Sequence, residues 1–409
     1  MTDRLLLISA DGHAGAPATL YRDYLDPEFR EPFDEFRATM ATEMAARAEM
    51  ASESRQKFVE EWIDETTDGG EQGAHDSDSR QKELESEGIV AEVLFPDADA
   101  SGLGWSKVSS SPFGSGLGSS GDSDPALVFA GAKAHNRWMA EFVQESPDRR
   151  IGLAIVPVVH DVDRSLEEIK WAKEVGLGGI LIPTAWRNQP AYYDHVYDPV
   201  WALCSELELP VHTHSGTTSA DMGLAPPIEI SFAEGWFWAG RPLWVMILGG
   251  VFERYPNLHF AITENLSFWV ADFRRRMDEN WQGSYALRKF GDIKTTSEIP
   301  SFYLDRNCWV GSQLSKTCVA RRHDCGIDNL MFGSDFPHPE GTWPHTHDWM
   351  RYRLDGVPED EFRKIVGLNA LDMYPAFDRA KLEAEAERVQ APTYDDIMTR
   401  EIQAHVVEM

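Results

Sequence analysis

The sequence of 409 residues has little cysteine, no long apolar run and little positive charge. Its four cysteines form no Cys-x-x-Cys pair, which is typical of reduced thiols in the cytoplasm and not of a disulfide framework. No apolar stretch approaches the roughly 20 residues that span a bilayer, and charge follows the N-terminal apolar run too soon for a secretion signal. We therefore expect a cytoplasmic protein that does not contact a membrane.

Positive charge is scarce, because 38 lysines and arginines stand against 68 aspartates and glutamates, for a net charge of -30. Such a chain would repel a phosphate backbone, which excludes nucleic acid as a partner and leaves a small-molecule substrate as the expectation. The rest of the composition is ordinary: 42% of the residues are hydrophobic and 26% are charged. That balance provides enough apolar material for a large core.

Short apolar runs recur along the chain and predict eight buried strands. They are continuous and not alternating, a pattern typical of parallel strands that are covered on both faces. Helical patterns at Asp163–Val175 and Pro199–Leu207 fit crossover connections between them. The sequence therefore predicts an α/β fold, a TIM (β/α)₈ barrel. The eight runs are Leu5–Ala10, Ala91–Pro96, Ile151–Val158, Gly179–Pro183, Leu209–Thr213, Leu258–Thr263, Cys308–Gly311 and Leu330–Gly333.

We expect a single barrel domain over residues 1–375, with segments added to a minimal barrel. Residues from about 30 to 74 are charged and helix-prone, and predict a helical insertion after strand 1. Residues from about 98 to 124 are rich in glycine and serine, and predict a lid loop after strand 2. Residues 376–409 predict a C-terminal helical extension. A homodimer is the expected assembly, since it is the common outcome for such proteins.

Imidazole and carboxylate groups follow four of the predicted strands directly. In a (β/α)₈ barrel, the reactive groups lie at the carboxyl ends of the strands, where the βα loops meet. Residues that are far apart in the sequence are therefore expected to meet at one rim. In chain order they are Asp11, His13, His214, Glu264, Asp335 and His338.

The residue types at this rim predict a metal site. Asp11 and His13 are two positions apart on a strand, so their side chains point the same way and can bind one ion together. His214 and Asp335 would complete a set of nitrogen and oxygen ligands and leave a position open for water. A divalent cation in such a site lowers the pKa of its water and polarises a carbonyl group.

With these motifs, the sequence resembles the amidohydrolase superfamily, and within it the amidohydrolase-related branch that includes aminocarboxymuconate-semialdehyde decarboxylase. The resemblance runs from Ile8–His13 (ISADGH) to Lys364–Tyr374 (KIVGLNALDMY) and so covers nearly the whole chain. Supporting stretches lie at Gly88–Pro96, Asn136–Pro157, Gly250–Asn257 and Asp328–His338. The combination is specific to the branch and not to one substrate.

The resemblance implies a TIM barrel of the metal-dependent hydrolase type, and it implies which residues bind the metal. The family's first-strand metal motif falls on Asp11 and His13, its strand-five histidine on His214, and its strand-eight aspartate on Asp335. Asp11 stands where the family carries histidine, and this harder ligand favours iron or manganese beside zinc. Glu264 stands where decarboxylase-like members carry a histidine general base. We expect one or two divalent ions per chain (Zn, Fe or Mn).

The leading functional hypothesis is a metal-dependent hydrolase, or a closely related lyase or decarboxylase. It would act on a carbonyl- or carboxylate-bearing small molecule through a metal-activated water. Asp335 would accept the proton of that water, and Glu264 or His338 would move protons to the leaving group.

Two alternatives stay open. A non-haem di-iron monooxygenase on an amidohydrolase-like fold would hydroxylate a bulky apolar substrate, with a second ion bound by Glu264 together with His75 or His338. His75 lies in the loop after the first strand and is a candidate ligand of that ion. The strand-four run Gly179–Pro183 contains no lysine, so a carbamylated lysine cannot bridge two ions there. A barrel without activity that serves as a binding protein is the other alternative.

Overall fold

The computed structural model describes residues 3–17, 19–50, 53–54, 56–57, 70–96, 124–186, 188–215, 228–265, 267–283, 294–338 and 340–402. Within these ranges, eight parallel strands lie side by side in chain order. Every apolar run singled out in the sequence contributes to one of them, so the predicted (β/α)₈ barrel is confirmed. The strands are β1 (Leu7–His13), β2 (Ile89–Phe95), β3 (Arg150–Ile155), β4 (Gly179–Leu181), β5 (Val211–His214), β6 (Phe260–Thr263), β7 (Cys308–Ser312) and β8 (Leu330–Phe332).

Backbone hydrogen bonds between β1 and the residues that follow β8 join the two ends of the sheet. The Asp335 amide donates to the Asp11 carbonyl at 2.7 Å, and the His13 amide donates to the Phe336 carbonyl at 2.7 Å. Gly12 and Phe336 form a parallel bridge between these two bonds. The seam that joins the ends of the sheet is therefore built from residues of the predicted metal site.

Helices connect the strands, and the two that the sequence predicted are present. Val162–Glu174 begins after Asp161, whose side chain accepts the Arg164 amide at 3.0 Å. It is followed by Gly176, whose φ of 90° suits glycine. The helices among the described residues are Tyr21–Tyr24, Arg30–Met50, Gly70–Gly73, Ser77–Ser86, Pro125–Gln144, Val162–Glu174, Asp198–Leu207, Ile228–Leu248, Val251–Arg254, Val270–Trp281, Pro300–Asn307, Lys316–Ala320, Arg322–Cys325, Thr346–Arg353, Glu359–Arg363, Asn369–Met373, Arg379–Arg388 and Tyr394–Met398.

The core explains why the strands are apolar without alternation. All seven residues of β2 are buried, because one face packs inside the barrel and the other against the surrounding helices. At the amino end of β1, the Leu5 amide donates to the Pro392 carbonyl at 2.8 Å. Leu382 and Ala386 of the helix Arg379–Arg388 belong to the same buried hydrophobic cluster as Leu6 and other barrel residues. The described part of the C-terminal extension thus covers the end of the barrel opposite the predicted site.

The predicted additions to the barrel are only partly within the described residues. The helices Arg30–Met50 and Gly70–Gly73 occupy the range of the predicted insertion. The predicted lid, from about 98 to 124, lies outside the described residues except for its last position. Among the described helices, none is both long enough and apolar enough to cross a membrane.

Candidate metal centre

The carboxyl end of β1 places Asp11 and His13 at the barrel mouth, both fully buried. The Ser9 hydroxyl donates to the Asp11 carbonyl at 2.6 Å, next to an irregularity in the pairing of β1 with β2. The guanidinium of buried Arg80 donates to the His13 carbonyl at 2.7 Å. The backbone of both candidate ligands is thus fixed by side chains that lie behind it.

Two imidazole rings are oriented in the same way, with Nε2 toward the centre of the site. His13 Nδ1 lies 3.1 Å from the Pro96 carbonyl, and His214 Nδ1 lies 3.0 Å from the Ser215 carbonyl. Because a carbonyl accepts only, each Nδ1 carries a proton, and each Nε2 is the nitrogen that is left to bind a metal. A backbone carbonyl that fixes the tautomer in this way is typical of metal-binding histidines.

Glu264 and Asp335 reach the mouth through an uncommon backbone conformation. Glu264 has a φ of 52° and Asp335 a φ of 59°, in the left-handed region that costs about 1–3 kcal/mol for a residue other than glycine. Each follows the end of its strand, and the turn directs its carboxylate toward the histidines. The Ser215 hydroxyl donates to Glu264 Oε1 at 2.8 Å, and Gln313 Nε2 donates to Asp335 Oδ2 at 3.3 Å.

The nitrogen and oxygen atoms converge with separations near 3 Å. His214 Nε2 is 3.2 Å from Asp11 Oδ1 and 3.3 Å from Glu264 Oε2. His13 Nε2 is 3.1 Å from Asp335 Oδ1. Two ligand atoms on bonds of about 2.1 Å at a right angle lie about 3 Å apart, so this is the spacing of a coordination shell.

Polar atoms of the site are buried without a hydrogen bond. Among the described residues, Asp11 Oδ2 and His13 Nε2 have no hydrogen-bond partner. An unmet polar atom in the interior costs roughly 1–3 kcal/mol, and more when it is charged. A divalent cation would satisfy lone pairs of this kind, and imidazole nitrogen with carboxylate oxygen suits zinc, iron or manganese. The residues present therefore fit a divalent metal ion.

The pKa values of the site follow from burial and from charge. Burial raises the pKa of Asp11 to about 7, although His214 works against that shift. Burial lowers the pKa of His13 to about 3. Burial alone would also lower the pKa of His214, but Glu264 and Asp11 raise it to about 9. For Asp335, burial is outweighed by His338 and His13, which hold its pKa below the ordinary value.

His338 joins the site from the loop after β8. Its Nδ1 lies 3.0 Å from Asp335 Oδ1, and its ring stacks on that of His13 with centroids 3.9 Å apart. The same loop contributes Glu340, whose Oε2 is buried without a hydrogen bond among the described residues. Burial raises the pKa of Glu340 to about 7. His338 is predicted from the sequence, whereas Glu340 and Gln313 are not. Gln313 follows directly after β7, so its position at a strand end was a signal that could have identified it.

Two other histidines lie apart from this cluster. His75 is half-buried in the turn after Gly70–Gly73, and it belongs to neither group of converging ligand atoms found among the described residues. His212, two residues before His214, is buried between the Ile180 carbonyl at 3.1 Å and the Tyr374 hydroxyl at 2.9 Å. These bonds use both ring nitrogens, so His212 supports the barrel interior.

Comparisons with known proteins agree with this geometry. The amidohydrolase family profile matches residues 86–287 and 324–376, more than half of the chain. The decarboxylase OrsB of Emericella nidulans is 24% identical over 254 residues, which is 57% of this chain and 72% of that protein.

Solved structures share the fold. The 5-carboxyvanillate decarboxylase of Novosphingobium aromaticivorans, complexed with manganese and 4-hydroxy-3-methoxy-5-nitrobenzoic acid, superposes with a TM-score of 0.63 at 19% identity, covering 92% of this chain and 99% of that one. The dihydroxybenzoic acid decarboxylase of Polaromonas sp. JS666, with bound manganese and the inhibitor 2-nitroresorcinol, gives a TM-score of 0.59 at 18% identity, covering 90% and 96%.

These findings confirm the resemblance and the predicted class of enzyme, a metal-dependent hydrolase or a related lyase or decarboxylase. They support a divalent metal and give no support to the monooxygenase or to the inactive barrel. The family profile, the eight-stranded barrel and the ligand cluster at its mouth lead to one conclusion. The chain belongs to the amidohydrolase family.

Proposed function

We propose that the chain is a decarboxylase of aromatic acids that carry a hydroxyl group beside the carboxylate. One manganese-like cation would be held by Asp11, His13, His214 and Asp335. The observation that carries the proposal is the convergence of two imidazole Nε2 atoms and buried carboxylates at one barrel mouth. The substrate class is supported by two similar proteins, which are decarboxylases of hydroxylated benzoic acids with bound manganese.

Decarboxylation replaces a carbon–carbon bond with a carbon–hydrogen bond. Carbon dioxide leaves, and the electron pair that stays on the ring carbon takes up a proton. A bound divalent cation would supply positive charge beside the carboxylate and hydroxyl oxygens of the substrate. The residues of the chain must then hold that proton close to the ring carbon.

The pair of His338 and Asp335 is the candidate proton source. Their facing atoms are 3.0 Å apart, next to the ring of His13. Burial would lower the pKa of His338, but Asp335 raises it well above the ordinary value, so the pair keeps a proton at neutral pH. Transfer by a positioned acid of this kind is worth about 10²–10⁴-fold in rate.

Glu264 connects the buried pair with solvent. Its side chain is 28% exposed, whereas that of Asp335 is 1% exposed. Its carboxylate contacts Ser215 on one side and His214 on the other. We assign to it the return of a proton to the site after each turnover, in the place of the histidine that decarboxylase-like relatives carry.

Aromatic side chains lie around the residue that follows Glu264 and would suit an aromatic substrate. Asn265, the residue after Glu264, donates to the Trp236 carbonyl at 3.0 Å and accepts from Trp269 Nε1 at 2.7 Å. The rings of Trp236 and Trp269 lie 5.5 Å apart. These contacts fix an apolar wall beside the candidate proton route.

A positive charge for an anionic substrate is available at the same end of the barrel. The guanidinium of half-buried Arg241 lies 4.4 Å from the centre of the Trp186 ring, in segments that follow β5 and β4. The described residues provide no carboxylate partner for it. We assign to Arg241 the attraction of the substrate carboxylate, with the Trp186 ring holding the guanidinium in place.

The test is carbon dioxide release by manganese-loaded protein from a matched pair of acids, 2,6-dihydroxybenzoate and benzoate. Release from the first and not from the second is the expected result. A companion reaction in D₂O should place one deuterium on the ring carbon that carried the carboxylate. Replacement of Arg241 by Met should raise KM about tenfold or more and change kcat little, since it removes a charge–charge attraction.

Other substrates provide the outcomes that contradict the proposal. Hydrolysis of a lactone or amide panel without carbon dioxide release would assign the chain to the hydrolases of its family. Consumption of O₂ with hydroxylated product would assign it to the monooxygenases instead.

We further propose a dimeric enzyme in the cytoplasm. All four cysteines are buried thiols that form no disulfide in the structure, in agreement with a reducing compartment. Light scattering of the purified protein tests the dimer, and a mass corresponding to one chain would exclude it.

A further inference from the structure

Two cysteine sulfurs meet in the segment that follows β7. The Cys318 thiol donates to the Cys325 sulfur at 3.3 Å, from the short helices Lys316–Ala320 and Arg322–Cys325. The two residues are seven positions apart, which is not the Cys-x-x-Cys pattern, so the sequence alone does not indicate the pair. The fold thus forms a dithiol to which the proposed function gives no role.

The two thiols differ in how readily they lose a proton. The hydrogen bond from Cys318 lowers the pKa of Cys325, and a hydrogen bond with the Ala271 backbone acts in the same direction. The same contact between the sulfurs raises the pKa of Cys318. Because the thiolate is the form that attacks an oxidant, Cys325 is the attacking sulfur and Cys318 the resolving one.

Both sulfurs are buried, but they lie close to exposed side chains. Cys325 is 3% exposed, whereas the side chains of His323 and Asp324 directly before it are 63% and 66% exposed. A helix as short as Arg322–Cys325 opens at a lower cost in free energy than the whole barrel. A small oxidant can therefore reach the pair without global unfolding.

The dithiol also contacts the residues that follow β6, where Glu264 lies. The hydroxyl of Ser267, three residues after Glu264, is hydrogen-bonded to the Cys318 sulfur. Ser267 is fully buried and has a φ of 45°, in the same left-handed region as Glu264. Ala271 contacts Cys325 in the same part of the chain. A change at the two sulfurs is thus transmitted to the backbone that holds Glu264.

We propose that Cys318 and Cys325 form a redox-active site, at which a hydroperoxide converts the two thiols to a disulfide and slows the reaction that uses Glu264. The Cys325 thiolate attacks one oxygen of hydrogen peroxide, the O–O bond breaks, and hydroxide leaves. The Cys318 sulfur then attacks the resulting sulfenic acid, the S–S bond forms, and the S–O bond breaks. The two thiol protons convert both departing hydroxides to water. The sulfurs lose two electrons in total, and the peroxide gains them.

The covalent bond replaces the hydrogen bond between the sulfurs and is shorter than that contact, so Ser267 and Ala271 must follow the sulfurs that they touch. The effect on the rate rests on the proposed function, in which Glu264 returns the proton. The formation of the disulfide does not rest on it.

Tryptic peptide mapping of the manganese-loaded full chain, treated with hydrogen peroxide and then alkylated under denaturing conditions, tests the disulfide. Trypsin cleaves after Arg321 and after Arg322, between the two cysteines, so a disulfide joins two peptides that otherwise separate. We expect the joined pair with hydrogen peroxide, its loss with dithiothreitol, and alkylated thiols at Cys204 and Cys308 throughout. Four alkylated thiols, or a sulfinic acid at Cys325 without the joined pair, would overturn the proposal.

Kinetics of the same preparations test the effect on the reaction. Hydrogen peroxide should lower kcat for carbon dioxide release at least about threefold with KM nearly unchanged, and dithiothreitol should restore it. Cys318→Ala should lose this response. The matched control Cys204→Ala should keep it, since Cys204 is buried in a separate helix, Asp198–Leu207. An equal response in Cys318→Ala would overturn the link to Glu264.

Hydrogen exchange of the peptide that covers residues 264–271, measured by mass spectrometry, gives a readout independent of activity. We expect faster exchange in the oxidised protein than in the reduced protein. Unchanged exchange in protein that carries the disulfide would overturn the link to Glu264. If the reduced protein releases no carbon dioxide, the proposed function fails, whereas the joined peptides and the exchange rates still decide this inference.

Discussion

Two buried ionic clusters lie against β1, and they differ in which groups balance the charge of their carboxylates. Behind the site, Glu92 of β2 accepts two bonds from Arg80, at 2.8 and 2.7 Å, and lies 3.5 Å from Arg150. All three side chains are almost fully buried. At the mouth, the carboxylates of Asp11 and Asp335 face histidines, and Asp11 Oδ2 lacks a hydrogen bond among the described residues.

The difference distinguishes a structural cluster from a binding site. A buried ion pair is tolerable when its geometry is good and its remaining lone pairs are bonded, as for Glu92. Among the described residues, the carboxylates at the mouth form no ion pair with lysine or arginine, and the backbone at Glu264 and Asp335 is left-handed. Such an arrangement is unfavourable in the protein alone, and we infer that its missing charge is supplied by bound metal.

The largest effect on activity should come from a substitution in the cluster at the barrel mouth. Asp335→Asn removes a candidate metal ligand and the partner of His338 together, and we expect a loss of about 10⁴-fold in kcat/KM, or about 5 kcal/mol. Steady-state kinetics with metal analysis on the same preparation measure it. A variant with full metal content and more than a tenth of the activity would remove Asp335 from the mechanism.

Breaking the structural cluster should affect folding more than metal binding. Arg80→Met leaves Glu92 with only Arg150 and frees the His13 carbonyl, so we expect the free energy of unfolding to fall by about 3–5 kcal/mol. Urea denaturation measures it. Arg275→Met is the matched control, because Arg275 is 65% exposed and pairs with Glu279 on the surface. The control substitution should lower the free energy of unfolding by no more than about 0.5 kcal/mol. An equal decrease in the two variants would contradict the comparison.

The two clusters should also differ in their response to pH. Burial raises the pKa of Asp11 from 3.8 to about 7, so its contribution to the stability of the metal-free protein is present at low pH and is lost as pH rises through 7. Metal binding must displace the proton of Asp11, which costs about 1.4 kcal/mol for each pH unit below the pKa of Asp11. We therefore expect the stabilisation by manganese to grow by at least about 2 kcal/mol from about pH 5.5 to 7, measured by thermal unfolding. A gain that is constant with pH would contradict a protonated site.

The smallest effect on stability is expected from a substitution in the barrel interior beneath the site. Tyr374→Phe removes the hydroxyl that bonds His212 and should lower the free energy of unfolding by about 1 kcal/mol, with kcat/KM nearly unchanged. Denaturation and kinetics on one preparation check both. A large loss of activity would mean that His212 belongs to the site after all.

The strand-end residues could be predicted from the sequence because parallel strands in a barrel share one rim. Asp11, His13, His214, Glu264 and Asp335 each follow a buried apolar run, and the structure brings them together. Their roles as metal ligands and catalytic groups stay predictions. The role of His75 as a metal ligand also stays a prediction, and His75 is not part of the ligand cluster found among the described residues.

Other features depend on geometry that a single sequence does not contain. The left-handed conformations of Glu264 and Asp335 occur in residues that rarely adopt them. Glu340 joins the site through a tight loop whose path depends on Gly341. Arg80 and Glu92 lie on a helix and a strand, and their pairing requires the packing of both elements.

Anomalous diffraction from manganese-soaked crystals, recorded at the manganese absorption edge, tests the central claim most directly. We expect an anomalous peak between Asp11, His13, His214 and Asp335, and no peak at Glu92, where Arg80 and Arg150 already balance the charge. A map without a peak at the barrel mouth, at manganese concentrations that saturate activity, would contradict it.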